Sequence, residues 1–169
     1  GVIRFDSSLE QVPREPDGVA WINDTLFATA DEGDLNGGSR GFTIYNTSGA
    51  VVYTSGSTVD QIAAAAGHYP EQRSKNKGSE PENVTVATFD GTPYLFLNLE
   101  RASLTLVYDL TNPAEPKLTQ ALPALLALAL FIASASRPAN SIVIKSPSSG
   151  PITFKCLVAQ HPGNHSRPH

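Results

Sequence analysis

Most of the chain is written in short runs where apolar and polar residues alternate, the period-two pattern of half-buried β-strands, and the runs are separated by Asp-Gly, Asn-Asp and Asn-Pro turn signals. Ser79-Glu80-Pro81-Glu82 leads into Asn83 to Phe89, Asp90-Gly91 turns the chain, and Thr92 to Leu99 runs back to end in Glu100-Arg101. The same plan occurs earlier. Glu15-Pro16-Asp17-Gly18 leads through Val19 to Trp21, Asn23-Asp24 turns, and Thr25 to Ala30 ends in Asp31-Glu32-Gly33-Asp34.

A third strand follows each hairpin, Gly41 to Asn46 in one copy and Leu104 to Asp109 in the other, and each closes on a turn. Ala50 to Thr54 and Lys117 to Leu122 supply a fourth. The unit is thus an antiparallel sheet repeated after about 65 residues, the form of a β-propeller blade with a long insertion in one loop. The fold class predicted is all-β: propeller-like blades at about 15–54 and 80–120, too few to close a ring, and therefore an incomplete propeller. Trp21 is expected to be buried, and the two blades to share one strand order.

Between the units, Thr58 to Gly67 is the good helical stretch of the first hundred residues. Ser57 or Thr58 can cap it, Asp60 lies in its first turn and Gly67 stops it. The polar stretch from His68 to Ser79 is expected to cross the surface. At the start, Val2 to Glu10 reads as an edge strand, and Val12-Pro13-Arg14-Glu15-Pro16 excludes helix because each proline lacks an amide donor. After Ala121 the character changes. Residues 121–158 form a divergent segment whose Ala/Leu run, to Ala135, is too short to span a bilayer and reads as buried helix or strand. Strands are predicted at Ser141 to Lys145 and Ile152 to Val158, with a disordered tail over 159–169.

With 169 residues, 40% of them hydrophobic, the chain can bury a core. It has no methionine and opens at Gly1, which reads as a piece of a longer precursor. A formal charge of −4 and scattered Lys and Arg argue against nucleic acid as a partner and favour a metal cation or a cationic surface. Cys156 is the one cysteine and makes no internal disulfide. Asn23, Asn46, Asn83 and Asn164 each open an Asn-x-Ser/Thr triplet and are glycan acceptors if the chain is secreted by a eukaryote.

The carboxylates recur at equivalent places in the repeat. Asp17, Glu80 and Glu82 stand with Glu15 at strand starts, and Glu32, Asp34 and Glu100 at strand ends. In a propeller such positions gather at the channel mouths, where several carboxylates make a hard-oxygen site for calcium or magnesium. Asp17, Glu32, Asp34, Glu80, Glu82 and Glu100 are therefore the candidate metal ligands, with calcium the expected ion; the competing reading is solvated turn-forming acids. Arg14 and Arg101 are candidates for binding phosphate, or else structural ion-pair partners. His68 is isolated, and neither a P-loop nor a Ser/His/Asp set is found, so catalysis by this chain alone is not expected.

The motifs Pro16 to Ala20, Ala28 to Asp34, Gly41 to Tyr45, Lys77 to Glu82 and Leu99 to Arg101, in that order, resemble the choice-of-anchor I family. That family includes atypical bacterial alkaline phosphatases and mesenchyme-specific cell-surface glycoproteins. The resemblance spans about Arg14 to Pro116 and implies a secreted or surface-anchored β-propeller. From Pro123 to Lys145 the sequence has no acidic residue, and the likeness ends. Three functions follow as expectations: an extracellular segment in calcium-dependent adhesion or mineral association, a metal-dependent phosphomonoesterase, and a structural subunit of a filament or shell that self-associates through sheet edges or neighbouring blades.

Overall fold

A computed structural model describes residues 13–34, 37–124, 141–144 and 152–155. The expected strand at Val2 to Glu10, the Ala/Leu run beyond residue 124, Cys156, Asn164 and the tail lie outside the described residues. Among the described residues the fold is all-β, two four-stranded antiparallel sheets and a two-stranded one with one short α-helix and no closed barrel, consistent with an incomplete propeller.

The first sheet is a meander of β1 (Pro16–Asn23), β2 (Leu26–Asp31), β3 (Gly41–Asn46) and β4 (Val51–Thr54). The second is a meander of β5 (Pro81–Phe89), β6 (Thr92–Leu99), β7 (Leu104–Asp109) and β8 (Lys117–Pro123). Their likeness extends below strand order. Each sheet starts at a Glu-Pro step whose glutamate has a positive φ, 42° at Glu15 and 55° at Glu80. Each of these glutamates accepts a backbone hydrogen bond from the acid that ends the second strand, Glu32 to Glu15 at 3.2 Å and Glu100 to Glu80 at 2.9 Å. Both sheets carry one bulge just after the opening proline and another between the third and fourth strands, at Ile44/Tyr45 and at Val107/Tyr108. Asn46 and Asp109 end the third strands in the same way, each side-chain oxygen accepting from the backbone and hydroxyl of the residue two further on. Leu26-Phe27-Ala28 and Leu95-Phe96-Leu97 occupy equivalent second strands, as the sequence repeat requires.

Residues paired across a sheet share a face. One face of the first sheet, carrying Ala28, Ala30, Phe42 and Ile44, packs against the face of the second that carries Val84, Leu95, Leu97, Leu99, Leu106 and Tyr108. Phe42 and Tyr108 meet there with ring centroids 4.8 Å apart. The sheets approach tightly at Gly18, where an added Cβ would lie 2.9 Å from the Val84 nitrogen and 3.0 Å from the Glu82 carbonyl oxygen. Trp21, expected in the core, is instead 62% exposed. It lies on the opposite face of β1, and alternation along a strand says which residues share a face but not which face is covered.

The insertion folds as predicted in its first half. Helix α1 (Thr58–Ala65) ends where Gly67, φ +75°, lets His68 and Gly67 donate to the Ala63 and Ala64 carbonyls and satisfy the last turn. Ser57 makes no side-chain cap. Val59, Asp60 and Ala63 are buried, so the helix closes one end of the core. The second half crosses the surface as expected, with Glu71, Gln72 and Lys75 exposed, and turns inward only at its end, where Gly78 and Ser79 are buried. Asp60 accepts from the Ser79 amide at 3.1 Å and pairs with Arg40 at 3.6 Å, while His68 Nδ1 donates to the Ala102 carbonyl at 2.9 Å. Buried polar groups need partners, and these bonds draw the segment inward. The strands expected near the C-terminus, β9 (Ser141–Ile144) and β10 (Ile152–Lys155), pair in antiparallel register.

Candidate functional site

A cleft of about 500 Å³ opens where β1 of the first sheet meets the ends of β5, β6 and β7, and Asp17, Glu82, Asn83, Asn98, Glu100 and Ser103 contribute to its lining. Its acids arrive there by the repeat. Asp17 and Glu82 each follow the opening Glu-Pro step of a sheet, and Glu100 ends β6. A hydrogen bond with Glu100, reinforced by that residue's charge, holds the Glu82 carboxyl above the usual carboxylate range. Burial and the negative charges of Asp17 and Glu32 add to the shift. Three of the six predicted metal ligands thus line one opening, and a fourth, Glu32, is near enough to be felt.

The remaining two are used elsewhere. Glu80 is 3% exposed and lies between two guanidinium groups, paired with Arg73 and held by Arg101 Nε at 2.5 Å. Asp34 sits in the loop after β2, where its backbone exchanges hydrogen bonds with Gly37. Glu32 also pairs with Lys77 at 2.6 Å, tying the first sheet to the insertion. Among the described residues, no three His, Cys, Asp or Glu side chains are grouped so as to hold a metal ion.

The two candidate phosphate-binding arginines do not converge. Arg101 bridges Glu80 and Glu100, the latter at 3.2 Å. Arg14 donates to Thr43 Oγ1 at 2.9 Å and Thr54 Oγ1 at 3.2 Å, on the first sheet. Of the triplet asparagines, Asn23 and Asn46 sit in hairpin turns whose backbone their side-chain oxygens cap, whereas Asn83 is on β5 and lines the cleft.

Sequence reasoning passed over Asp31. It is fully buried, accepting from Thr29 Oγ1 at 2.7 Å, Thr43 Oγ1 at 2.5 Å and Ser39 Oγ at 3.2 Å, with Arg14 at 3.9 Å. Burial raises its carboxyl above the usual range, and the three hydroxyls and Arg14 oppose the shift. By register, Thr29, Asp31 and Thr43 stand where the second sheet has Leu97, Leu99 and Leu106. A polar cluster therefore replaces a leucine cluster. The signal available in the sequence was the alignment itself, which sets an acid and two threonines against three leucines.

The pattern of the choice-of-anchor I domain matches residues 29–113, half of the chain. The chain belongs to the choice-of-anchor I domain family. No curated protein and no solved structure matches it. The choice-of-anchor I match runs from Thr29 on β2 to Pro113 beyond β7, so it takes in Asp31, Glu32, the insertion, Glu80, Glu82, Glu100 and Arg101. Asp17 and Arg14 fall outside it. Among the described residues no helix is long and apolar enough to cross a membrane.

Proposed function

We propose that this choice-of-anchor I domain is a segment of a surface-displayed β-propeller with a binding or structural role, and that the Asp17, Glu82 and Glu100 cleft is its cation-binding surface. The observation that carries the reading is the crowding of Glu82 against Glu100 with Asp17 and Glu32 nearby, whose repulsion a cation relieves. Its acids are not grouped for direct chelation. The cleft suits a calcium ion that keeps part of its water, or a cationic group on a surface.

The family assignment supports an anchoring or structural domain. A phosphomonoesterase would use Arg14 and Arg101 on one phosphate, but Arg101 is engaged by two glutamates and Arg14 by the threonines of the first sheet. The deciding experiment compares melting of the chain in EDTA and in millimolar calcium. A rise with calcium that disappears in Glu82→Gln is expected. Equal melting temperatures would remove the cation from the proposal.

A further inference from the structure

In each sheet one row of side chains crosses all four strands at the same register: Trp21, Phe27, Tyr45 and Val51 in the first, and Val86, Leu95, Tyr108 and Leu118 in the second. The second row is covered at its centre by the first sheet, leaving Leu95 0% and Tyr108 2% exposed. Its counterpart is open. Trp21 is 62% exposed, Val51 47%, and Val19, beside Trp21 on the same face, 65%. Trp21 stands edge-on to Phe27 at 5.5 Å and Phe27 stacks on Tyr45 at 5.4 Å, so the row is an aromatic platform rather than scattered exposure.

What covers such a row is on view inside the molecule. The Val86 to Leu118 row belongs to the face that packs against the opposite face of the preceding sheet. We propose that the Trp21 row takes the corresponding opposite face of a sheet from a second copy of this chain, the face of its second sheet that carries Thr85, Ala87 and Phe96. The contact is head-to-tail and continues the interface already built between the two sheets. Asn83 stands where Gly18 allows a tight approach in the internal interface. The copies therefore meet over Thr85, Ala87 and Phe96 rather than at the start of β5. The polar end of the face, Asp31 with Thr29 and Thr43, is already satisfied within the chain and leaves the aromatic end to make the contact.

A head-to-tail contact uses two different surfaces, and this makes it testable with two exposed substitutions, Val19→Arg on one surface and Thr85→Arg on the other. Sedimentation velocity over a dilution series should show the unmodified chain associating with concentration, and each variant alone associating roughly tenfold more weakly or not at all. Mixing the two variants should restore a single contact, giving one-to-one pairs through the Trp21 row of the Thr85→Arg chain and the intact second sheet of the Val19→Arg chain. Circular dichroism of each variant, matching the unmodified chain, confirms that folding is not what changed. An unmodified chain that stays monomeric, a folded variant that associates as well as the parent, or a mixture that remains monomeric would each overturn the proposal.

Discussion

Glu15 and Glu80 hold equivalent positions with equivalent left-handed backbones, yet one is exposed and the other is buried between Arg73 and Arg101. The repeat fixes the backbone, and the insertion decides the side chain's surroundings, because Arg73 comes from the segment that leads into the second sheet. Replacing Glu80 with Ala leaves two guanidinium groups facing a buried void. The expected cost is about 3 kcal/mol, the low end for a broken buried pair, since both arginines are more than a third exposed and can rehydrate. Glu15→Ala should cost less than about 0.5 kcal/mol. Urea unfolding of both variants makes the comparison, and equal losses would show that Glu80 is not the structural member of the pair.

Asp31 stands in the place of Leu99, and its worth lies in its partners. Asp31→Leu alone leaves Thr29 and Thr43 hydroxyls buried without their acceptor and should destabilise the chain by about 3 kcal/mol. Adding Thr29→Val and Thr43→Val to the same variant should recover most of that loss, because apolar groups of similar shape then replace the two buried hydroxyls, while the remaining partners, Ser39 and Arg14, are partly exposed and can reach water. Thermal or urea melts of the single and triple variants measure it. A triple variant less stable than the single one would show that the cluster is more than a satisfied polar substitute for leucine.

The acidic cleft gives a pH dependence of definite sign. Glu82 binds its proton more tightly in the folded chain than in the unfolded one, so its contribution to stability is fully present below about pH 4.5, the ordinary glutamate value, and is lost as pH rises through the raised folded value. Glu82→Gln removes this dependence. At neutral pH and low salt the variant should melt above the parent, with the gap closing at acid pH and in high salt because the charges are solvent-facing. A variant that melts below the parent at neutral pH in the absence of calcium would contradict the arrangement.

Gly18 is required by space rather than by a turn. A Cβ there meets the backbone of Glu82, Asn83 and Val84 at 2.9 to 3.0 Å, and backbone in a paired strand cannot swing aside as a side chain does. Gly18→Ala should therefore push the sheets apart at the cleft and cost about 1 to 3 kcal/mol. Gly49→Ala is the control, with φ +83° and nothing within 4 Å, and carries only the backbone penalty. Chemical denaturation of the two variants separates crowding from backbone strain.

The order of strands, the repeat and its insertion were legible in the sequence because each rests on local chemistry: alternation makes a strand, Asp-Gly and Asn-Asp make turns, and Gly67 stops a helix. The pairing of Gly41 to Asn46 with Leu104 to Asp109 as equivalent third strands also follows, and it carries the family likeness with it. The sequence alone also marked Asp17 and Glu82 as acids at equivalent strand starts and Glu100 as an acid at a strand end. Which acids face a cleft and which are buried was decided by packing between elements distant in sequence. Arg73 and Arg101 take Glu80 out of the acidic group, Ser39 and two threonines surround Asp31, and Gly18 sets how closely β1 lies on β5. Trp21 shows the same limit: period two places it with Phe27 and Tyr45 on one face, but burial is a property of what lies against that face, and only the tertiary structure supplies it.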